Sequence, residues 1–208
     1  MSNIDLLFVT KIYRTILRGK TIQVLTVDLA RAAHVFAAED AAGQAWSAAK
    51  HYEGYTSYAS LNDLTWRAPE FADLKEHIDS HVRAFTKELD FDLGGVPLSL
   101  NSLWVNILQP GGAHSAHIHP HSVLSGTYYV DVPRGAGAIR FEDPRHAMMM
   151  AAPPRKARAR RDNQSFVTIE PKPGMLLLWE SWLRHDVPVN DAETPRLSIS
   201  FNYGWGDN

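Results

Sequence analysis

The chain has 208 residues, 45% of them apolar, enough for one domain with its own core. A formal net charge of −2 gives no pull toward nucleic acid or a membrane surface, and the absence of cysteine excludes disulfides, thiolate metal sites and cysteine nucleophiles. The first residues lack the shape of a signal peptide and no stretch approaches the about 20 apolar residues of a membrane span, so a cytoplasmic protein is expected.

Residues 5–28 alternate loosely, with Phe8, Val9, Ile12, Ile16, Ile22, Val24, Leu25 and Val27, and predict one or two strands turning near Gly19. The alanine-rich run 29–50 predicts a helix, and the aromatic, polar segment 51–60 an irregular loop. Residues 69–90 give the clearest helical stripe. Phe71, Leu74, Ile78, Val82, Phe85 and Leu89 recur at steps of three and four, with Pro69 placed for the first turn. After Gly94-Gly95 the pattern becomes short strands at 98–108, 122–132, 138–141, 165–169, 175–179 and 196–203, separated by proline and glycine turns. Helical support over 29–90 followed by a β core over about 98–205 makes one mainly β domain spanning residues 1–208.

Residues 143–163 interrupt that rhythm with two adjacent prolines and five basic residues between Arg155 and Arg161. A loop of this length is either solvated or a lid over a site, and its charge would attract an acidic substrate.

Four of the ten histidines lie between His114 and His121. On extended backbone His117 and His119 point to one face, so their imidazoles can converge on one ion. His121 shares that face if the strand runs straight through Pro120, and stands as an alternative ligand; His114 falls on the opposite face. His185, past the apolar strand MLLLW, supplies a third ligand from a distant strand edge. Imidazole suits iron, zinc, copper and nickel. In RLSISFNYG, alternation puts Arg196, Ser198, Ser200 and Asn202 on one face. That face is either the solvent side or a polar pocket, in which the planar fork of Arg196 would hold a carboxylate.

Three segments, NSLWVNILQPGGAHSAHIHPHSVLSGTYYVDVP, GMLLLWESWLRHDVPVN and RLSISFNYG, resemble a bacterial and phage family of 2-oxoglutarate- and Fe(II)-dependent oxygenases, related to the prolyl-hydroxylase-like dioxygenases. The resemblance extends over most of the chain, including LFVTKIY and GYTSYASLNDL. It implies a double-stranded β-helix (jelly-roll, cupin-like barrel) and an iron site at His117, His119 and His185. It also implies that Arg196, with Ser198, binds the distal carboxylate of 2-oxoglutarate. The implied reaction hydroxylates a small molecule or peptide with release of succinate and CO2. On that reading Asn106 and Tyr128 point inward to the other end of 2-oxoglutarate or to the substrate, and Thr56, Ser57 and Trp182 are substrate contacts.

One departure stands out. The wider superfamily uses two histidines and a carboxylate in the order H-x-D/E…H, and here His119 takes the carboxylate's place. Asp131, Glu142, Asp143 and Asp186 are remote carboxylates without a persuasive spacing. Two other readings follow: a cupin-like three-histidine metalloenzyme that does not use 2-oxoglutarate, and a non-catalytic metal-binding β-barrel module. No nucleic acid or membrane partner is expected, and the oligomeric state is open, a homodimer included.

Overall fold

The structure, a computed structural model, describes residues 3–206. In chain order it forms β1 (Tyr13–Ile16), α1 (Lys20–Glu39), α2 (Ala41–Ala49), β2 (Gly54–Thr56) and α3 (Pro69–Glu88). Eight strands follow: β3 (Ser99–Leu108), β4 (His114–His117), β5 (Leu124–Asp131), β6 (Ile139–Glu142), β7 (Phe166–Ile169), β8 (Met175–Glu180), β9 (His185–Val187) and β10 (Arg196–Gly204). The protein is mainly antiparallel β with helices ahead of the strands.

The stripe read over 69–90 becomes α3, with Phe71, Leu74, Ile78, Val82 and Phe85 fully buried. The strands expected over 5–28 are half right. β1 forms, but from Lys20 the chain is helical, because Ile22, Leu25, Leu29 and Ala33 bury at helical spacing while Val24 and Val27 stay exposed. The helix expected over 29–50 breaks at Asp40, whose carboxylate accepts from the Gly43 N–H and so caps α2. The loop expected over 51–60 contains β2.

Six strands form one sheet in the order β1-β8-β5-β10-β3-β2, and four form a second in the order β4-β9-β6-β7. From β3 onward the chain passes back and forth between them. Two packed layers result. Helices α1 and α3 cover one face of the larger sheet, burying Leu103, Val105, Tyr128, Ile199 and Phe201. The smaller sheet covers the other face, where Tyr129, Leu177 and Trp179 meet Ile139, Phe141 and Val187. The second layer is incomplete: toward the β4–β9 edge it opens into a cavity of ≈ 920 Å³.

The loop over 143–163 is present, with short helical turns at His146–Met148 and Arg161–Asn163. None of its residues borders that cavity, so it does not lie over the histidines. It turns instead toward residues 4–10 and encloses a separate cavity of ≈ 1080 Å³ with them.

Candidate active site

β4 and β9 pair antiparallel, with His117 opposite His185. His119 lies just beyond β4, its backbone N–H donating to Ser181 O. One potential ligand nitrogen from each of these three rings lies within 4.8 Å of the others. His119 and His185 stack at 8° with Nε2 atoms 3.3 Å apart, and the His117 ring centroid is 4.5 Å from that of His185. His117 Nδ1 donates to Ser115 O and His185 Nδ1 to Leu183 O. A carbonyl only accepts, so Nδ1 carries the hydrogen in both rings and Nε2 presents a free lone pair. Burial, then His117, lowers His119 to about 4; the same causes lower His185 to about 3. Both rings are therefore neutral at pH 7, the state that binds metal. The donor set fits a divalent first-row metal, and the anchored Nδ1 atoms fix the ring orientations as in known metal sites. Among the described residues no carboxylate joins the group. Asp186, next to His185, is held by Arg140, which donates from Nε at 3.0 Å and Nη2 at 2.6 Å.

Arg196 lies in the same cavity, 2% exposed. Its Nη1 donates to Gly137 O at 2.6 Å, Nε has no partner, and no carboxylate pairs with it among the described residues. A buried guanidinium without a counter-charge is costly, and an anion in this cavity would offset that cost. Its neighbours sharpen this. The guanidinium stands 5.8 Å from the Tyr129 ring centroid. Burial raises the Tyr129 hydroxyl to about 12 while Arg196 pulls it down, so it remains a proton donor. Ser198 sits beside Tyr129 on one side and Asn106 on the other, and Thr56 continues the row across β2. Thr56 Oγ1 donates to Asn106 Oδ1, and Asn106 Nδ2 donates to Ser200 Oγ at 3.0 Å.

Arg196, Ser198, Asn106 and Thr56 thus gather in the cavity with the three histidines. Four expected residues do not. Tyr128 faces the helices, its hydroxyl bonded to Thr26 Oγ1. Tyr129 takes the inward position, because β5 is buried on both faces and its alternation cannot be read. Ser57 is a structural group whose hydroxyl donates to Leu61 O and accepts from Val105 N–H. Trp182 is half-exposed outside the cavity. The chain turns at Pro120, and His121 is exposed with φ 67 and does not join the histidine cluster. Conversely, His114 borders the cavity, since a register shift between His114 and His117 cancels the expected change of face. It bonds the Tyr52 hydroxyl at 3.0 Å, and burial, then Arg196, lowers it to about 3.

The fold and site define a mainly β protein with a three-imidazole cluster beside a buried arginine that has no carboxylate partner among the described residues. Residues 102–202 match the profile of a family described as "Putative 2OG-Fe(II) oxygenase", which contains all four of those residues. Over that segment, just under half of the chain, the sequence is similar to this family. No curated protein matches the sequence significantly.

Among solved structures, a Pseudomonas putida prolyl-4-hydroxylase is similar at TM-score 0.62 and 16% identity, over 94% of this chain and 93% of that one. HygX from Streptomyces hygroscopicus, with nickel and 2-oxoglutarate bound, is similar at TM-score 0.58 and 13% identity, over 94% and 82%. The epimerase SnoN from nogalamycin biosynthesis, in complex with Fe3+, α-ketoglutarate and nogalamycin RO, gives 0.59 and 17%, over 87% and 74%. Against two other solved structures, a Burkholderia pseudomallei 2OG-Fe(II) oxygenase and a second SnoN structure, the chain covers 53% and 61% of their lengths. At these identities the likeness concerns the fold. No helix among the described residues is long and apolar enough to cross a membrane.

Proposed function

We propose that the whole chain is a single oxygenase domain that hydroxylates a small molecule using iron(II), 2-oxoglutarate and dioxygen. The two sheets are read as a double-stranded β-helix, a reading supported by the passage of β3 to β10 between them, broken only by the β6–β7 hairpin within the smaller sheet. His117, His119 and His185 would hold the metal through Nε2, and Arg196 with Ser198 would bind the distal carboxylate of 2-oxoglutarate. The observation that carries the proposal is Arg196: a guanidinium buried without a counter-charge among the described residues, in the cavity that the histidines border.

Iron with 2-oxoglutarate and dioxygen supplies the oxidising chemistry, releasing succinate and CO2. The chain's own groups orient and shield. Backbone carbonyls at Ser115 and Leu183 hold two imidazoles in place. The Tyr129 hydroxyl stands ready to donate to the anion bound by Arg196. Asn106, held by Thr56 and Ser200, faces the inner end of 2-oxoglutarate or the substrate.

Replacing Arg196 by Ala removes a two-point charged contact and should weaken 2-oxoglutarate binding by about 100-fold, roughly 3 kcal/mol. Metal content should stay unchanged. Titration calorimetry and metal analysis on the folded variant test this, and unchanged 2-oxoglutarate affinity refutes the assigned role. Succinate release that needs both Fe(II) and oxygen would establish the activity.

One observation favours a second reading. Among the described residues the cluster has three imidazoles and no carboxylate, which suits a cupin-like metalloenzyme without 2-oxoglutarate. That reading predicts no 2-oxoglutarate binding to the wild type.

A further inference from the structure

The mouth of the cavity carries an aromatic wall that the proposed chemistry leaves unused. The Trp104 ring centroid is 6.0 Å from that of His119. Tyr58 meets Trp104 edge-on at 5.1 Å, and Trp46 continues the wall 6.3 Å from Tyr58. Trp104 is anchored on β3 and 5% exposed, whereas Tyr58 is 48% exposed. Ile118 and Val189, also at the cavity, are exposed to a similar degree. Large apolar side chains gathered half-exposed at one mouth form a recognition surface, not a core.

The unpaired charge lining this cavity is positive among the described residues. Lys50 borders the cavity and forms no ion pair among the described residues. Among the described residues the one carboxylate on the cavity wall, Asp186, is already engaged by Nε and Nη2 of Arg140. An entering cation would meet no counter-charge, whereas an anion would meet Lys50. Beside it, α2 ends with Tyr52 N–H donating to Ser47 O and His51 N–H donating to Ala48 O. That closure normally has glycine where His51 sits at φ 52.

We infer that the substrate is a small aromatic acid, its ring against Trp104 and Tyr58 and its acidic group toward Lys50 and His51. This rests on the oxygenase reading only for the claim that the bound ring is also the molecule that reacts. The wall places that ring beside His119, one of the proposed metal ligands.

The test is a calorimetric titration of the full chain loaded with Ni(II) and excess 2-oxoglutarate, which keeps Arg196 occupied. The probes are indole-3-acetate, tryptamine and cyclohexylacetate. Indole-3-acetate should bind, with the cationic amine and the saturated ring each about tenfold weaker or worse. Tyr58→Ala and Lys50→Ala, both at half-exposed or exposed positions, should each weaken indole-3-acetate by about fivefold and leave 2-oxoglutarate affinity unchanged. Equal binding of the three probes, no binding of indole-3-acetate, or indifference to both substitutions overturns the inference. A wild type that fails to bind 2-oxoglutarate but still discriminates the probes overturns the oxygenase reading and leaves the ring site standing.

Discussion

At the scale of single residues, the site is a contest between burial and charge. His114, His119 and His185 are all lowered to between about 3 and about 4, chiefly by burial. Their unfolded value is about 6.5, so below that pH the unfolded chain binds protons that the folded chain refuses. Stability without metal is therefore full above pH 6.5 and falls as pH drops toward 4, on the order of 1 kcal/mol per pH unit for each histidine. Thermal melts from pH 7.5 to 5 should show the fall; a flat profile would mean these rings are solvated. His51 makes the opposite case. Its left-handed backbone at the end of α2 favours glycine, so His51→Gly should stabilise the fold by about 0.5–1 kcal/mol in urea titration. If His51 serves the cavity, the same variant loses affinity for indole-3-acetate while gaining stability.

At the scale of elements, β5 and β10 are the pair on which the site depends. Their register places Ser198 beside Tyr129, and an irregularity between Leu197 and Ser198 sets Arg196 at the cavity's inner end. Gly126 sits opposite Phe201 in this ladder, and a Cβ there would collide with the Phe201 ring and the Leu177 carbonyl. Gly126→Val should cost about 1–3 kcal/mol through overpacking and displace β10. Denaturant titration, together with weakened 2-oxoglutarate binding, would show it; full stability would mean β5 has slack. Tyr128, one residue along β5, offers the contrast. Tyr128→Phe removes its bond to Thr26 on α1, should cost about 1 kcal/mol, and should leave 2-oxoglutarate affinity untouched.

At the scale of the whole molecule, ligands and fold share one free energy. The three proposed metal ligands come from β4, from just beyond it, and from β9, so a bound metal ties together two short strands of four and three residues. Metal at about 100 times its dissociation constant should stabilise the native state by about 2.7 kcal/mol. A scan with and without Ni(II) should show a rise in Tm of several degrees, and His185→Ala should abolish it. A wild-type Tm indifferent to metal would refute the shared site.

The sequence by itself determined what short-range pattern can carry. Helical spacing wrote α3, the alternation of RLSISFNYG set Arg196, Ser198, Ser200 and Asn202 on one face without saying which way it turned, and the His117, His119 and His185 constellation was visible as residue types in order. Only the tertiary structure decided the rest. It made residues 20–28 helical because α1 had to bury a stripe against the larger sheet. It chose Tyr129 over Tyr128, since a strand buried on both faces has no readable parity. It brought His114 to the cavity through a register shift, and turned the basic loop away from it. Each of these depends on which surface faces which, a property of packing between distant segments that no local pattern encodes.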